Sequence, residues 1–196
     1  MAYYHTNTVV VIFCEGATEE EFYKSLVAHI RKQWGGRLHC KIEYKNLEGI
    51  GNYKSKLQNY FENNICVKYI GYTIKAALCY DTDVFQAYRI KPVDWQIIDK
   101  KLRQLGADEV IHVRAEKSIE DWFLLDADGL RKYLGLPKKF KMIGYKGLTG
   151  LTKLFKAAGK EYEQGKRCKD LIKALNLSTI TEELGCEIDS LISLLF

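Results

Sequence analysis

No apolar stretch in this 196-residue chain approaches the ~18 residues that a membrane-spanning helix needs. The opening MAYYHTNT has neither the basic start nor the apolar core of a secretory signal. Cys14, Cys40, Cys66, Cys79, Cys168 and Cys186 are scattered with no C-x-x-C pair, which speaks against a structural zinc site. Several of them fall inside apolar runs, where cysteine behaves as a small hydrophobe, so free thiols in a reducing cytoplasm are expected. Internal repeats and low-complexity tracts are missing. So is any G-x-x-x-x-G-K-[ST] phosphate loop, and with it a P-loop ATPase part. Residues 174–196 contain no lysine or arginine at all.

The rest is ordinary for a soluble globular chain, with 47% apolar and 28% charged residues and a length that suits one domain with a small appendage. Net charge is +5, unevenly spread. Residues 131–173 hold thirteen Lys/Arg against three acids, whereas 174–196 hold four acids. A basic block beside a near-neutral first part points to a polyanion partner, although a solvated helical face would produce the same count.

The chain is organised around residues 8–26, TVVVIFCEGATEEEFYKSL. Six apolar residues, 9–14, form a run too short for a helix and suited to a strand buried on both faces. Gly16 permits a sharp turn, and Thr18 with Glu21 three residues later predicts a capping box. Phe22, Tyr23, Leu26, Val27 and Ile30 then recur at helical spacing, ending near Trp34-Gly35-Gly36. Further strands are expected at 38–44, 74–80 and 110–113. Helices are expected at 52–63, at 93–105 after Pro92, and from Ser118 through 122–125. This alternation predicts an α/β fold with a mostly parallel sheet over residues 1–135. Residues 136–196 read as a helical basic C-terminal extension packed on the same domain, with a basic loop at 138–146 and helices at 149–162, 166–175 and 179–196. The tail SLISLLF is apolar enough to dock on the core, the preferred reading, or to make an oligomer contact.

Three apolar strands each end in acids: Glu15 with Glu19, Asp81 with Asp83, and Glu116 with Glu120. Parallel strands place their C-terminal ends on one edge, so these six carboxylates are expected to face one another. Alternation along a strand puts Asp81 and Asp83 on one side. Glu116 and Glu120 are one helical turn apart, with the Ser118 hydroxyl between them. Two carboxylates at ~4 Å repel by roughly 1 kcal/mol in water and about 4 kcal/mol at an effective dielectric near 20. Crowding therefore calls for shared protons or divalent cations, and hard oxygen donors select Mg²⁺, Mn²⁺ or Ca²⁺. Any one of these acids could equally be a plain cap; it is the repetition at corresponding points that carries the reading.

The CEGATEE element with Glu15, and the Asp81-Thr82-Asp83 triplet after a second apolar strand, resemble a Toprim domain. More narrowly, the chain resembles the Toprim nuclease domain of the OLD (overcoming lysogenization defect) family. Glu19 lies four residues after the first glutamate, and Glu116, Ser118 and Glu120 match an acid-x-Ser-x-Glu element, with glutamate at 116 where aspartate is commoner. The resemblance covers about residues 8–135. It implies a stand-alone nuclease that hydrolyses phosphodiester bonds with two Mg²⁺ or Mn²⁺ ions. Glu15, Asp81 and Asp83 would hold one ion, Glu19, Glu116 and Glu120 the second, and Ser118 would be an auxiliary ligand. It also implies a charge-stabilising lysine downstream, assigned to Lys146 with Lys153 second. The catalytic set is then Glu15, Asp81, Asp83 and Lys146. Lys138, Lys139, Lys141, Lys146 and Lys153 would bind the backbone of a nucleic acid, DNA ahead of RNA. Tyr133, Phe140 and Tyr145 would either stack on bases or, the preferred reading, belong to the core. A partner protein supplying ATPase or targeting function, and a role in phage defence, are family context. A non-catalytic Toprim module that binds nucleic acid or scaffolds a partner is the alternative. A haloacid-dehalogenase-like Asp-x-Asp enzyme fits less well, because its Asp-x-Asp belongs on an early strand.

Overall fold

The apolar run near the start of the chain forms β1 (Thr8–Cys14), every residue after Thr8 being buried. The computed structural model describes residues 7–35, 38–83 and 93–196. Strands β2 (Lys41–Asn46), β3 (Thr73–Asp81) and β4 (Glu109–Ala115) join β1 in one four-stranded, all-parallel sheet of order β2-β1-β3-β4. Cys14 pairs in register with Asn46 on one side and Cys79 on the other, so the C-terminal ends line up. The fold is α/β, as the alternating pattern predicts. The second strand begins three residues later than expected and runs to Asn46, because it ladders onto β1 from Val9 to Cys14.

Strand alternation divides the core in two. Val10, Ile12, Cys14, Ala77, Cys79, Val113 and Ala115 face one side. That side is covered by helices α1 (Ala17–Gln33), α4 (Ile119–Leu125), α5 (Ala127–Leu134), α6 (Gly147–Ala157), α7 (Lys169–Ala174), α8 (Leu177–Leu184) and α9 (Asp189–Leu195). Val9, Val11, Phe13, Ala76, Leu78 and Tyr80 face the other side, under α2 (Lys56–Tyr60), the π turn Phe61–Cys66 and α3 (Trp95–Gln104).

Several local expectations are corrected. The capping box does not form: Gly16 is the N-cap of α1, and Thr18 is buried inside the first turn, where its Oγ1 accepts from the distant Gly165 N–H at 2.7 Å. The predicted helix over 52–63 is a 3₁₀ turn (Ile50–Lys54), α2 and the π turn in succession. Pro92, expected to start a helix, and Gly36 lie outside the described residues. Helix α3 is capped by Asp94, whose Oδ1 accepts from the N–H groups of Gln96 and Ile97. Asp126 ends α4 and caps α5 through Gly129 N–H, a break the apolar run concealed. The last predicted helix is two, α8 and α9, parted by Gly185 at φ 49°, a left-handed conformation that glycine tolerates.

The apolar tail docks on its own core. Leu191, Leu194 and Leu195 are buried, Cys40 donates from Sγ to the Leu195 carbonyl, and Phe196 stacks on Trp34 at 5.1 Å. All six cysteines are free thiols. Among the described residues, no helix is long and apolar enough to cross a membrane.

Because α9 closes the core, Leu191→Ala is predicted to lower unfolding free energy by about 2–5 kcal/mol in urea denaturation. Ile70→Ser, at a side chain 81% exposed, should stay within about 0.5 kcal/mol of the wild type. Equal effects would contradict this placement of the tail.

Candidate active site

Order β2-β1-β3-β4 means that the chain leaves β1 toward one edge and returns on its other side as β3. The crevice beyond the C-terminal ends of β1 and β3 is therefore the topological switch point, where open α/β sheets bind ligands. Glu15 follows β1 there, and Asp81 is the last residue of β3. Asp81 N–H approaches Glu15 Oε2 at 3.5 Å, and the Asp81 Oδ1 accepts from Ile119 N–H at 3.0 Å. That second bond ties the end of β3 to the first turn of α4, which carries Glu120. Glu19 stands in the first turn of α1 with its carboxylate folded over Gly16, where any Cβ would meet its Oε2 at 2.7 Å.

Four carboxylates thus share one partly dry crevice, and their electrostatics show it. Burial pushes the Asp81 carboxyl up to about 9, with Glu19, Glu15, Glu120 and Asp83 adding to the rise. Burial likewise pushes Glu19 up to about 7, helped by Glu15 and Glu120 and opposed by backbone N–H groups. Glu15 is also raised by burial, held back by the N–H of Asp81 and then raised again by Asp83. Charge repulsion and desolvation act in the same direction on these acids. Burial also raises the thiols of Cys14 and Cys79, just beneath them, well above their ordinary range.

Glu120 is only 3% exposed, and its Oε1 accepts from Tyr162 Oη at 3.2 Å and Gln164 Nε2 at 3.1 Å. Neither donor carried any signal in the sequence: both belong to the segment after α6, more than forty residues away along the chain. The same segment pins Thr18 through Gly165 N–H.

Asp83 is exposed at the rim, its N–H donating to the Lys117 carbonyl at 2.9 Å. Thr82 Oγ1 accepts from Lys117 N–H at 2.8 Å, so the Asp81-Thr82-Asp83 triplet and the β4–α4 loop form one unit. Lys117 adopts φ 69°, a left-handed conformation costing on the order of 1 kcal/mol in a residue with a Cβ.

Two expected ligands stand elsewhere. Glu116 is exposed and lines a separate cleft with Asp121, Glu183 and Glu187, where it raises the Glu187 carboxyl after burial has done so. It sits there because the loop turns at Lys117 before α4 begins. The Ser118 hydroxyl is buried and donates to Asp121 Oδ2 at 3.2 Å, while Asp121 Oδ1 accepts from Gly147 N–H at 2.8 Å. Ser118 is therefore engaged in fixing the start of α6 beside that of α4.

The same joint brings the basic loop alongside. Lys146 is the N-cap residue of α6, next to Gly147. Lys141, Lys146 and Lys153 line a shallow groove with Tyr145 and Gly150. Lys138 and Lys139 are exposed nearby in sequence, and among the described residues none of these five lysines has an ion pair. Tyr133, Phe140 and Tyr145 are partly buried and pack against the core.

The donors at the switch point are all carboxylate oxygens, chemistry that fits Mg²⁺ or Mn²⁺. Among the described residues, no group of three or more His, Cys, Asp and Glu side chains is arranged to hold a metal ion. A ready-made cage is not a requirement for Mg²⁺, which ordinarily keeps several waters and uses one or two carboxylates plus substrate phosphates. No family model matches this chain, and no curated protein or solved structure matches it either.

The raised carboxyls have a consequence for stability. A carboxyl whose folded pKa exceeds its unfolded value favours folding while protonated. The stability linked to Glu19 and Asp81 is fully present below about pH 4 and is lost as pH rises through about 7 and then about 9. Asp81→Asn is thus predicted to be more stable than the wild type at pH 9, by about 2 kcal/mol or more, with the gap closing toward pH 4. Urea midpoints across that range check it; a gap that ignores pH would contradict the crowding of charge.

Proposed function

We propose that this chain is a metal-dependent phosphodiesterase acting on nucleic acid, of the Toprim type and similar to the OLD-family nuclease domain. One observation carries the reading: the acids after β1 and at the end of β3 meet at the switch point and are joined there by the first-turn acids of α1 and α4. Burying like charges together costs several kcal/mol and gains nothing structurally, so the arrangement is best explained by a cationic ligand. A bound divalent cation would supply an activated water and neutralise developing charge on the phosphate. Glu15 and Asp81 would hold it at the β1/β3 split, with Asp83 at the rim. Glu19 and Glu120 would serve a second ion, without Glu116.

The lysines supply the rest. Lys138, Lys139, Lys141 and Lys153 hold the polyanion through its backbone without reading bases. Lys146, the N-cap residue of α6, is our candidate for countering charge at the cleaved phosphate, with Lys153 second. DNA is the preferred substrate, and a partner protein supplying ATPase or targeting function would complete the system.

A second reading, a non-catalytic module that binds nucleic acid or scaffolds a partner, is favoured by the lack of a pre-assembled metal group among the described residues. The two diverge in a cleavage assay with plasmid, linear DNA and RNA, each with Mg²⁺, Mn²⁺ or EDTA. The nuclease reading predicts cleavage that EDTA stops and that Glu15→Gln or Asp81→Asn lowers at least ~10³-fold while nucleic-acid binding persists. Metal-independent binding with no cleavage would select the module instead.

Backbone binding through the lysines makes a further prediction. Replacing Lys138, Lys139 and Lys141 by Ala should flatten the plot of log affinity against log salt on duplex DNA, by about 0.9 for each phosphate that is no longer neutralised. An unchanged slope would move the binding surface elsewhere.

A further inference from the structure

The segment that follows α6 does more than connect helices. Tyr162 packs edge-on against Phe155 of α6 at 5.2 Å, and three residues later Gly165 N–H is fixed on the buried Thr18 of α1. Between these anchors, Tyr162 Oη and Gln164 Nε2 both donate to the same oxygen, Oε1, of Glu120. The other oxygen, Oε2, accepts no hydrogen bond from the described residues and is not among the buried polar atoms left without a partner. It is the Glu120 oxygen that no described donor occupies.

The chemistry of the two donors is informative. A lysine or arginine on Glu120 would neutralise it, and a carboxylate spent in an ion pair is a poor ligand. A phenol and a carboxamide fix the orientation of the carboxylate and bring no counter-charge to it, as partners behind a metal ligand do. The structural alternative is that these bonds merely satisfy a buried acid. Burying Glu120 with two neutral donors would still leave a desolvated charge, which a purely structural site avoids by using a neutral residue.

We infer that Tyr162 and Gln164 are positioning residues: they clamp Glu120 through one oxygen so that the other is presented, at a fixed angle, to a divalent cation in the switch-point crevice. This rests on the proposed function above and adds to it. The helical extension completes the metal site, although every ligand lies in the preceding α/β part.

The test is direct Mn²⁺ binding to the full chain, followed by electron paramagnetic resonance. The proteins compared are the wild type, Glu15→Gln, Tyr162→Phe, Gln164→Met and the Tyr162→Phe/Gln164→Met double variant, with thermal unfolding of each. Both clamp substitutions keep side-chain volume and remove only the donor. The expected result is Mn²⁺ binding by the wild type, lost in Glu15→Gln and weakened about tenfold by each clamp substitution. In cleavage assays the clamp variants should recover kcat at saturating Mn²⁺, since the ligand itself is intact. Wild-type binding with unchanged affinity in both clamp variants would overturn the inference alone, even if their melting temperatures fall. No Mn²⁺ binding by the wild type would overturn the inference and the proposed function together.

Discussion

Repulsion between carboxylates is the constraint from which this site takes its character. Glu15, Glu19, Asp81 and Glu120 are drawn into one poorly solvated crevice, where burial first and the neighbouring carboxylates second raise the Asp81 carboxyl. Apart from Glu15 and Glu19, four residues apart, nothing local draws them together. They meet because β1 and β3 are parallel neighbours in register, and because the helices that follow β1 and β4 start from the same edge of the sheet.

What holds the acids against one another is apolar. Phe22 and Tyr23 of α1 pack on Trp122 and Phe123 of α4, with ring centroids 5.4–6.3 Å apart. Glu19 and Glu120 lie three residues before Phe22 and Phe123 respectively. Each acid thus rides one helical turn above an aromatic anchor, and hydrophobic burial fixes the spacing of the charges. On the opposite face of the sheet, the Tyr53 hydroxyl donates to the carbonyls of Phe13 and Cys79, joining β1 and β3 near their C-terminal ends.

The boundary drawn near residue 135 separates two compositions. Leu151, Leu171, Leu184 and Leu194 belong to the same buried cluster as Ile12 and Phe22. From that packing the segment after α6 reaches back to Thr18 and Glu120. The helical extension therefore reaches the acidic crevice.

Much was legible in the chain by itself. Three strands and the acids at their ends follow from apolar runs whose length and β-branched content leave few options, the second strand follows from alternation, and the parallel arrangement follows from strands alternating with helices. Capping was less legible, because whether Thr18 caps its own helix or bonds to Gly165 depends on a segment 147 residues away. The same limit applies to the site. Glu116 and Glu120 are one turn apart in a helical reading, but the positive φ at Lys117 ends that regularity and sends Glu116 toward Glu187. Tyr162 and Gln164 had no periodic or motif signal, since a donor's value depends on which acceptor packing brings within 3.2 Å of it. Sequence alone determined which residues carry charge and which strands are buried, because these are properties of composition and period. Only the tertiary structure decided which charges share a crevice, because that depends on strand order and on contacts between parts of the chain far apart in number.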